Sequence, residues 1–266
     1  MSRVAEAFAK AAAENRAALV GYLPAGFPSK QGGIDALSAM VRAGVDVVEV
    51  GLPYSDPVLD GPTIQQAADR ALQGGTRIAD VLATVEAVAA TGAATVVMTY
   101  WNPVLRYGAE RFAADLAAAG GAGLITPDLT PDSGADWLAA SDARDLDRIF
   151  LVAPSSSPER IALTVAACRG FVYATAVMGV TGARSQTSVA APPLVARIRE
   201  ATDLPIGVGL GVSNGVQAAE VAGYADGVIV GSAFVRKLLD APDLAAGVAG
   251  CADLAADLAS GVRSRS

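Results

Sequence analysis

Val47-Val48-Glu49-Val50-Gly51-Leu52-Pro53-Tyr54-Ser55-Asp56-Pro57-Val58-Leu59-Asp60-Gly61-Pro62 opens as a short run of β-branched residues. That is how a strand reads when both its faces are buried, as in a parallel sheet. Glycine and proline then break the run into a loop that carries Asp56 and Asp60, and Gly61-Pro62 starts a helix. A strand, a loop and a helix in this order make one half of a βα unit. Glu49 sits inside the apolar run. An ionisable group there costs free energy unless it is paired or has chemical work. Glu49 is therefore the first candidate functional residue and Asp60 the second.

The same alternation extends outward in both directions. Residues 17–23 read as a strand closed by Pro24-Ala25-Gly26-Phe27-Pro28, and 31–43 as a helix with Leu37, Met40 and Val41 on one face. The strand 45–50 is followed by helices over 62–73 and 77–90, split by Gly74-Gly75. Further strands are expected at 95–99, 123–125, 148–152, 171–174, 205–209 and 226–230, with helices at 109–119, 132–141, 159–168, 192–200 and 215–222. Ser157 reads as an N-cap with Pro158 in the first helical position. One or two helices cover 233–259, and the tail 262–266 is expected to fray. Residues 1–16 read as a short amphipathic helix. The charges of Arg3, Glu6, Lys10, Glu14 and Arg16 exclude a signal peptide there.

Strict βα alternation implies parallel strands joined by right-handed crossovers. Eight such units in 266 residues favour a closed (β/α)8 TIM barrel over an open doubly wound sheet. The expected molecule is one domain spanning 1–266, with an extra N-terminal helix.

Composition narrows the chemistry. The formal charge is −7, with no basic stripe, so nucleic acid and anionic membranes are poor partners. Residues 87–105 carry no charge over nearly a membrane-span length, yet Thr91-Gly92 and Asn102-Pro103 break them into a helix end, a turn and a strand. The two cysteines, Cys168 and Cys251, lack CxxC spacing and read as buried reduced thiols of a cytoplasmic protein. The chain contains no histidine. Histidine triads are excluded and a transition-metal site is not expected. Acid–base work falls to carboxylates, tyrosine or lysine.

In such barrels the active site lies at the C-terminal ends of the strands. Three late loops share one character: Val180-Thr181-Gly182-Ala183, Gly209-Leu210-Gly211-Val212-Ser213 and Gly231-Ser232. Each glycine could serve only a tight turn. Three glycine loops on neighbouring strands point instead to an anion held by backbone N–H groups, with phosphate the common ligand in this position. Glu49 also has a plain reading, as a strand-end carboxylate that caps a helix or pairs with arginine. Without histidine and beside a phosphate site, a proton donor or acceptor near neutral pH is the better reading, with Val47, Val48 and Val50 as its walls. Asp60 is either solvated in its loop or folded over a ligand. Tyr22, Tyr173 and Leu210 are core residues or the walls of an apolar pocket beside the phosphate.

The stretch 49–65 resembles the signature of the tryptophan synthase alpha chain family. Met98-Thr99-Tyr100-Trp101-Asn102-Pro103, Pro127-Asp128-Leu129, Gly179-Val180-Thr181-Gly182-Ala183-Arg184, Gly207-Val208-Gly209-Leu210-Gly211-Val212-Ser213 and Gly227-Val228-Ile229-Val230-Gly231-Ser232-Ala233 extend the likeness over about 17–240. The resemblance implies a lyase that splits indole-3-glycerol phosphate into indole and glyceraldehyde 3-phosphate by a retro-aldol step. It implies Glu49 as the general acid–base and Asp60 as the carboxylate facing the indole N–H. By the same resemblance Gly182, Gly211, Gly231 and Ser232 hold the phosphate, with Tyr173 and Thr181 near the reacting centre. Tyr22 and Leu210 stand where the family commonly has phenylalanine. The segment 176–178 is less polar than the family's serine-rich version. The resemblance further implies an alpha2beta2 heterotetramer with a beta chain that carries pyridoxal phosphate, no cofactor in this chain, and partner contacts through Pro53, Asp56 and Asn102. A stand-alone indole-releasing lyase and a non-catalytic phosphate-binding barrel are the competing readings.

Overall fold

The computed structural model describes residues 2–175 and 189–264. Eight parallel strands close into a barrel in chain order, each beside its sequence neighbour and the eighth beside the first. They are β1 (Ala18–Pro24), β2 (Val47–Gly51), β3 (Ala94–Met98), β4 (Gly123–Thr126), β5 (Asp147–Val152), β6 (Val172–Thr175), β7 (Ile206–Gly209) and β8 (Gly227–Val230). Helices fill the connections: α1 (Arg3–Ala13), α2 (Lys30–Arg42), α3 (Pro62–Gln73), α4 (Ile78–Ala89), α5 (Trp101–Tyr107), α6 (Ala109–Ala118), α7 (Ala135–Asp142), α8 (Pro158–Ala167), α9 (Ala191–Arg199), α10 (Gly215–Ala222), α11 (Ser232–Leu239) and α12 (Leu244–Arg263).

The period-2 alternation of a strand separates two apolar layers. Val48, Val50, Val97, Leu124 and Phe150 point outward and pack under the helices. Val20, Val47, Val96, Ile125, Ile149 and Ile229 point inward and fill the barrel. This parity corrects one expectation. Val48 and Val50 stand behind Glu49 on the outer face, so of the three valines only Val47 shares its side of the strand. Across the sheet Glu49 is in register with Tyr22 on β1 and Val96 on β3.

The first helix closes the bottom of the barrel. Ser2 caps α1 by accepting from the Ala5 N–H, and Val4, Phe8 and Ala11 recur on its buried face. The Phe8 ring stacks on Phe171 with centroids 5.1 Å apart. Arg16, only 4% exposed, bridges the exit of α1 to the barrel through a bidentate pair with Asp46 and a bond to Glu14.

Two elements differ from expectation. The helix α5 begins at Trp101, where Asn102-Pro103 is expected only to break the chain and no helix is expected before 109. Proline fits because the first N–H groups of a helix have no partner within it. The tail does not fray at 262: α12 runs to Arg263, Val262 is buried, and its carbonyl accepts from Ala17 N–H at 3.3 Å. At 20 residues α12 is long and apolar enough to cross a membrane by length and composition alone. Here it lies along α2, α10 and α11 with Cys251, Leu254, Ala255, Leu258 and Val262 buried, the spacing of an amphipathic helix on a core. Cys168 and Cys251 are free and buried, and burial pushes their thiols up to about 11 and about 12.

Candidate active site

The C-terminal mouth of the barrel holds a cavity of about 340 Å³. Its floor is the last turn of the inward parity: Tyr22, Glu49, Met98, Leu151, Tyr173, Gly209 and Ile229. Leu59, Asp60 and Ile64 close one side, and Gly211, Gly231 and Ser232 another. No lysine or arginine lines it among the described residues.

Glu49 is 1% exposed, and its Oε1 has no hydrogen-bond partner among the described residues. Burial pushes its carboxyl up to about 8. The group is therefore mostly protonated near neutral pH, as a proton donor must be. Burial also raises Asp60, to about 6, with the Tyr100 hydroxyl working against it. Near neutral pH one carboxyl is an acid and the other an anion. Environments that push two such groups apart are how a site divides acid and charge-stabilising roles.

The loop 53–60 carries Asp60 to the cavity. Pro53 is buried at its root, while Asp56 and Val58 are exposed at its turn. The Gln65 side chain on α3 donates to the Asp60 carbonyl at 2.8 Å, and the Leu59 N–H donates to the Tyr100 hydroxyl at 2.9 Å. Asn102, exposed near the start of α5, donates to the Tyr54 hydroxyl at 3.1 Å.

Two tyrosines make the floor flat, and glycines make room for them. A Cβ on Gly51 would lie 2.4 Å from the Tyr22 hydroxyl, and one on Gly209 would lie 2.5 Å from that of Tyr173. The other edge of the Tyr22 ring comes to 3.3 Å of a Cβ built on Gly231, so this ring spans from β8 to β2. Beyond it α11 starts. Its N-cap is Gly231, no side chain caps it, and Ser232 is its first residue. Free N–H groups and a hydroxyl at a helix N-terminus suit an anion.

A family model described as tryptophan synthase alpha chain matches residues 8–259. The chain belongs to the tryptophan synthase alpha chain family. It is 65% identical over 263 residues to the tryptophan synthase alpha chain of Salinispora arenicola, covering 99% of this chain and 98% of that one. The alpha chain of Acidothermus cellulolyticus is 66% identical over 263 residues, with the same coverage. Among solved structures, a Mycobacterium tuberculosis tryptophan synthase chain superposes with a TM-score of 0.93 at 58% identity, over 98% of each chain.

For a tryptophan synthase alpha chain fold, the cavity gathers most of the residues expected from sequence. Glu49, Asp60, Tyr22, Tyr173, Leu210, Gly211, Gly231 and Ser232 all line it. Thr181 and Gly182 lie outside the described residues, as does the segment 176–178. Pro53, Asp56 and Asn102 stand away from the cavity. Sequence reading missed Met98, Leu151 and Ile229 as cavity walls. The available signal was parity, since each follows an inward residue by two positions. Tyr100 lies within the 98–103 motif, and nothing in its spacing ties its hydroxyl to the Leu59 N–H.

Proposed function

We propose that this chain cleaves indole-3-glycerol phosphate into indole and glyceraldehyde 3-phosphate, as the alpha subunit of a cytoplasmic tryptophan synthase. The observation that carries the reading is the pair of carboxyls, at about 8 and about 6, on one apolar cavity that ends at an uncapped helix N-terminus. The indole ring fits the flat floor of Tyr22 and Tyr173, with Leu210 as a wall. The phosphate fits Gly211, Gly231 and Ser232, and Gly182 extends that set.

Protonated Glu49 delivers its proton to indole C3. The ring nitrogen becomes positively charged, and ionised Asp60 accepts a hydrogen bond from the N–H and stabilises that charge. The bond between C3 and the side chain then breaks, and its electron pair returns to the ring. Glu49, now a carboxylate, takes the proton of the side-chain hydroxyl as that carbon becomes the aldehyde. One proton is given and one is taken, so the residue ends as it began. Burial serves the first step by keeping the proton on Glu49, and the low local dielectric strengthens the Asp60 interaction.

The chain needs no cofactor for this chemistry. Indole passes to a beta chain that carries pyridoxal phosphate, in an alpha2beta2 assembly. Asp56 and Asn102, beside exposed Val58 and Leu105, are the surface offered to that partner, with Pro53 at the loop root. The test is indole release from indole-3-glycerol phosphate by the chain alone and with a beta chain. Expected is slow release alone and faster release with the partner. No release under either condition would overturn the reading, and full turnover alone would remove the subunit role.

A further inference from the structure

The wall that β5 gives the cavity is Leu151, Ala153 and Ser156. Leu151 is in register with Tyr173 on β6. On the other side of β6, Gly209 of β7 stands against the Tyr173 hydroxyl, and the glycines assigned to the phosphate follow from β7 and β8. A ring that rests on Tyr173 with its phosphate on the β7 side therefore turns its far edge toward β5. Beyond Leu151 the side chains waiting there are small, so the position of their backbone sets the room.

That backbone is a closed turn. The Ser156 N–H donates to the Ala153 carbonyl at 2.9 Å, and the Ala153 N–H donates to Ser156 Oγ at 3.2 Å. Ser157, the next residue, is already the N-cap of α8. The turn is gripped from α9. Arg197, partly buried, donates from Nη1 to the Pro154 carbonyl at 3.1 Å and from Nη2 to the Ser156 carbonyl. An arginine in the last turn of a helix ordinarily does no more than complement the helix dipole or pair with a carboxylate. Arg199, two positions on, does pair, with Asp226 at 3.0 Å. Arg197 instead directs both prongs of its fork at two carbonyls of one loop, 43 and 41 residues earlier in the chain. Planar, charge-assisted bonding of this kind fixes orientation as well as distance.

We infer that Arg197 is a positioning residue that sets substrate specificity: by holding the turn 153–156 from α9 it fixes the room left at the far edge of the indole ring. This rests on the lyase reading above.

The test runs Arg197→Ala and Arg197→Lys beside wild type. Arg199→Ala is the control, since it removes an arginine of the same helix turn and its pair with Asp226 but no bond to the turn 153–156. Lysine keeps the charge but has no fork. Substrates with a methyl at C5 or at C6 of the ring are compared with unsubstituted indole-3-glycerol phosphate in the full chain. Wild type is expected to favour the unsubstituted substrate over at least one of them by about tenfold in kcat/KM, the discrimination that a fitted wall gives against one methyl. In Arg197→Ala that preference falls to about twofold, while KM for the unsubstituted substrate rises and kcat holds. Arg197→Lys lies between, and Arg199→Ala matches wild type. An arginine that only stabilised the fold would lower Tm and leave the ratio alone. Hydrogen exchange at the Ala153 and Ser156 amides reads the grip without turnover, and in Arg197→Ala it should quicken about tenfold or more, the size of a hydrogen bond to a charged group. Unchanged exchange or an unchanged ratio in folded Arg197→Ala overturns the proposal, as does a wild type indifferent to both methyls. A wild-type chain that cleaves no substrate would instead overturn the lyase reading, and the exchange rates would still decide whether Arg197 holds the turn.

Discussion

In the proposed reaction Glu49 links stability to activity through one proton. Its folded value of about 8 lies above the ordinary 4.5 of a glutamate. Between those values the folded chain holds a proton that the unfolded chain has released. The unfolded state then binds fewer protons, so stability falls as pH rises through that window and levels off above about 8. Glu49→Gln has no such proton. The variant is expected to gain stability over wild type by a few kcal/mol near pH 8, which is several degrees in Tm for a chain of this size, and to gain much less near pH 5. Thermal unfolding at the two pH values checks this, and an equal gain at both would refute the linkage. On the proposed role the same variant is expected to keep substrate binding and to lose the proton donor, with kcat falling by roughly 10²–10⁴ in a cleavage assay. In the wild type, cleavage should rise with pH as Asp60 ionises near about 6 and fall as Glu49 loses its proton near about 8.

At the level of elements, the site is the meeting of strand parity with glycine positions. β1 and β2 place Tyr22 and Glu49 side by side, and Gly51, two positions after Glu49, leaves the space the Tyr22 ring occupies. Gly51→Ala puts a methyl 2.4 Å from the Tyr22 hydroxyl and 2.7 Å from two ring carbons. The ring has little room to retreat, because Gly231 already stands against its other edge. Expected is a loss of about 1–3 kcal/mol, as for other overpacked cores, together with a raised KM. Adding Tyr22→Leu should restore most of the stability without restoring KM. Urea unfolding and steady-state kinetics on the single and double variants separate the two effects; a Gly51→Ala chain as stable as wild type would show that the ring moves freely. This contact also marks the limit of what sequence reveals. The barrel was legible because β-branched runs alternate with helical periods from 17 to 259, and Glu49 stood out as a charge within such a run. The α5 helix was not legible, because Asn102-Pro103 in its first turn reads as a chain break, which helix geometry tolerates there. The bond from the Leu59 N–H to the Tyr100 hydroxyl was not legible either, since it joins two loops through a tertiary contact with no fixed spacing.

Across the whole molecule, the barrel separates a face for stability from a face for chemistry. The carboxylates, the tyrosine floor and the α11 N-terminus occupy one end. At the other, α1 seals the bottom with Phe8, which stacks on Phe171 and lies where a Cβ on Gly227 would come within 2.8 Å. The two ends are not fully insulated. Phe171 has Tyr173 as its next inward neighbour on β6, with ring centroids 6.4 Å apart, so a line of three rings runs from the plug to the cavity. Phe8→Ala tests whether that line carries strain or only fills space. Removing a buried phenylalanine costs about 3–5 kcal/mol, which lowers Tm by roughly 10 °C in a chain of this length. Tyr173, however, is also held in place against Gly209 of β7, a contact that Phe8 does not make. The expected result is a large loss in Tm with kcat and KM for indole-3-glycerol phosphate unchanged well below the transition. A KM that rises in the folded variant would mean that the plug sets the tilt of the Tyr173 ring, and that the bottom of this barrel takes part in shaping the site at its top.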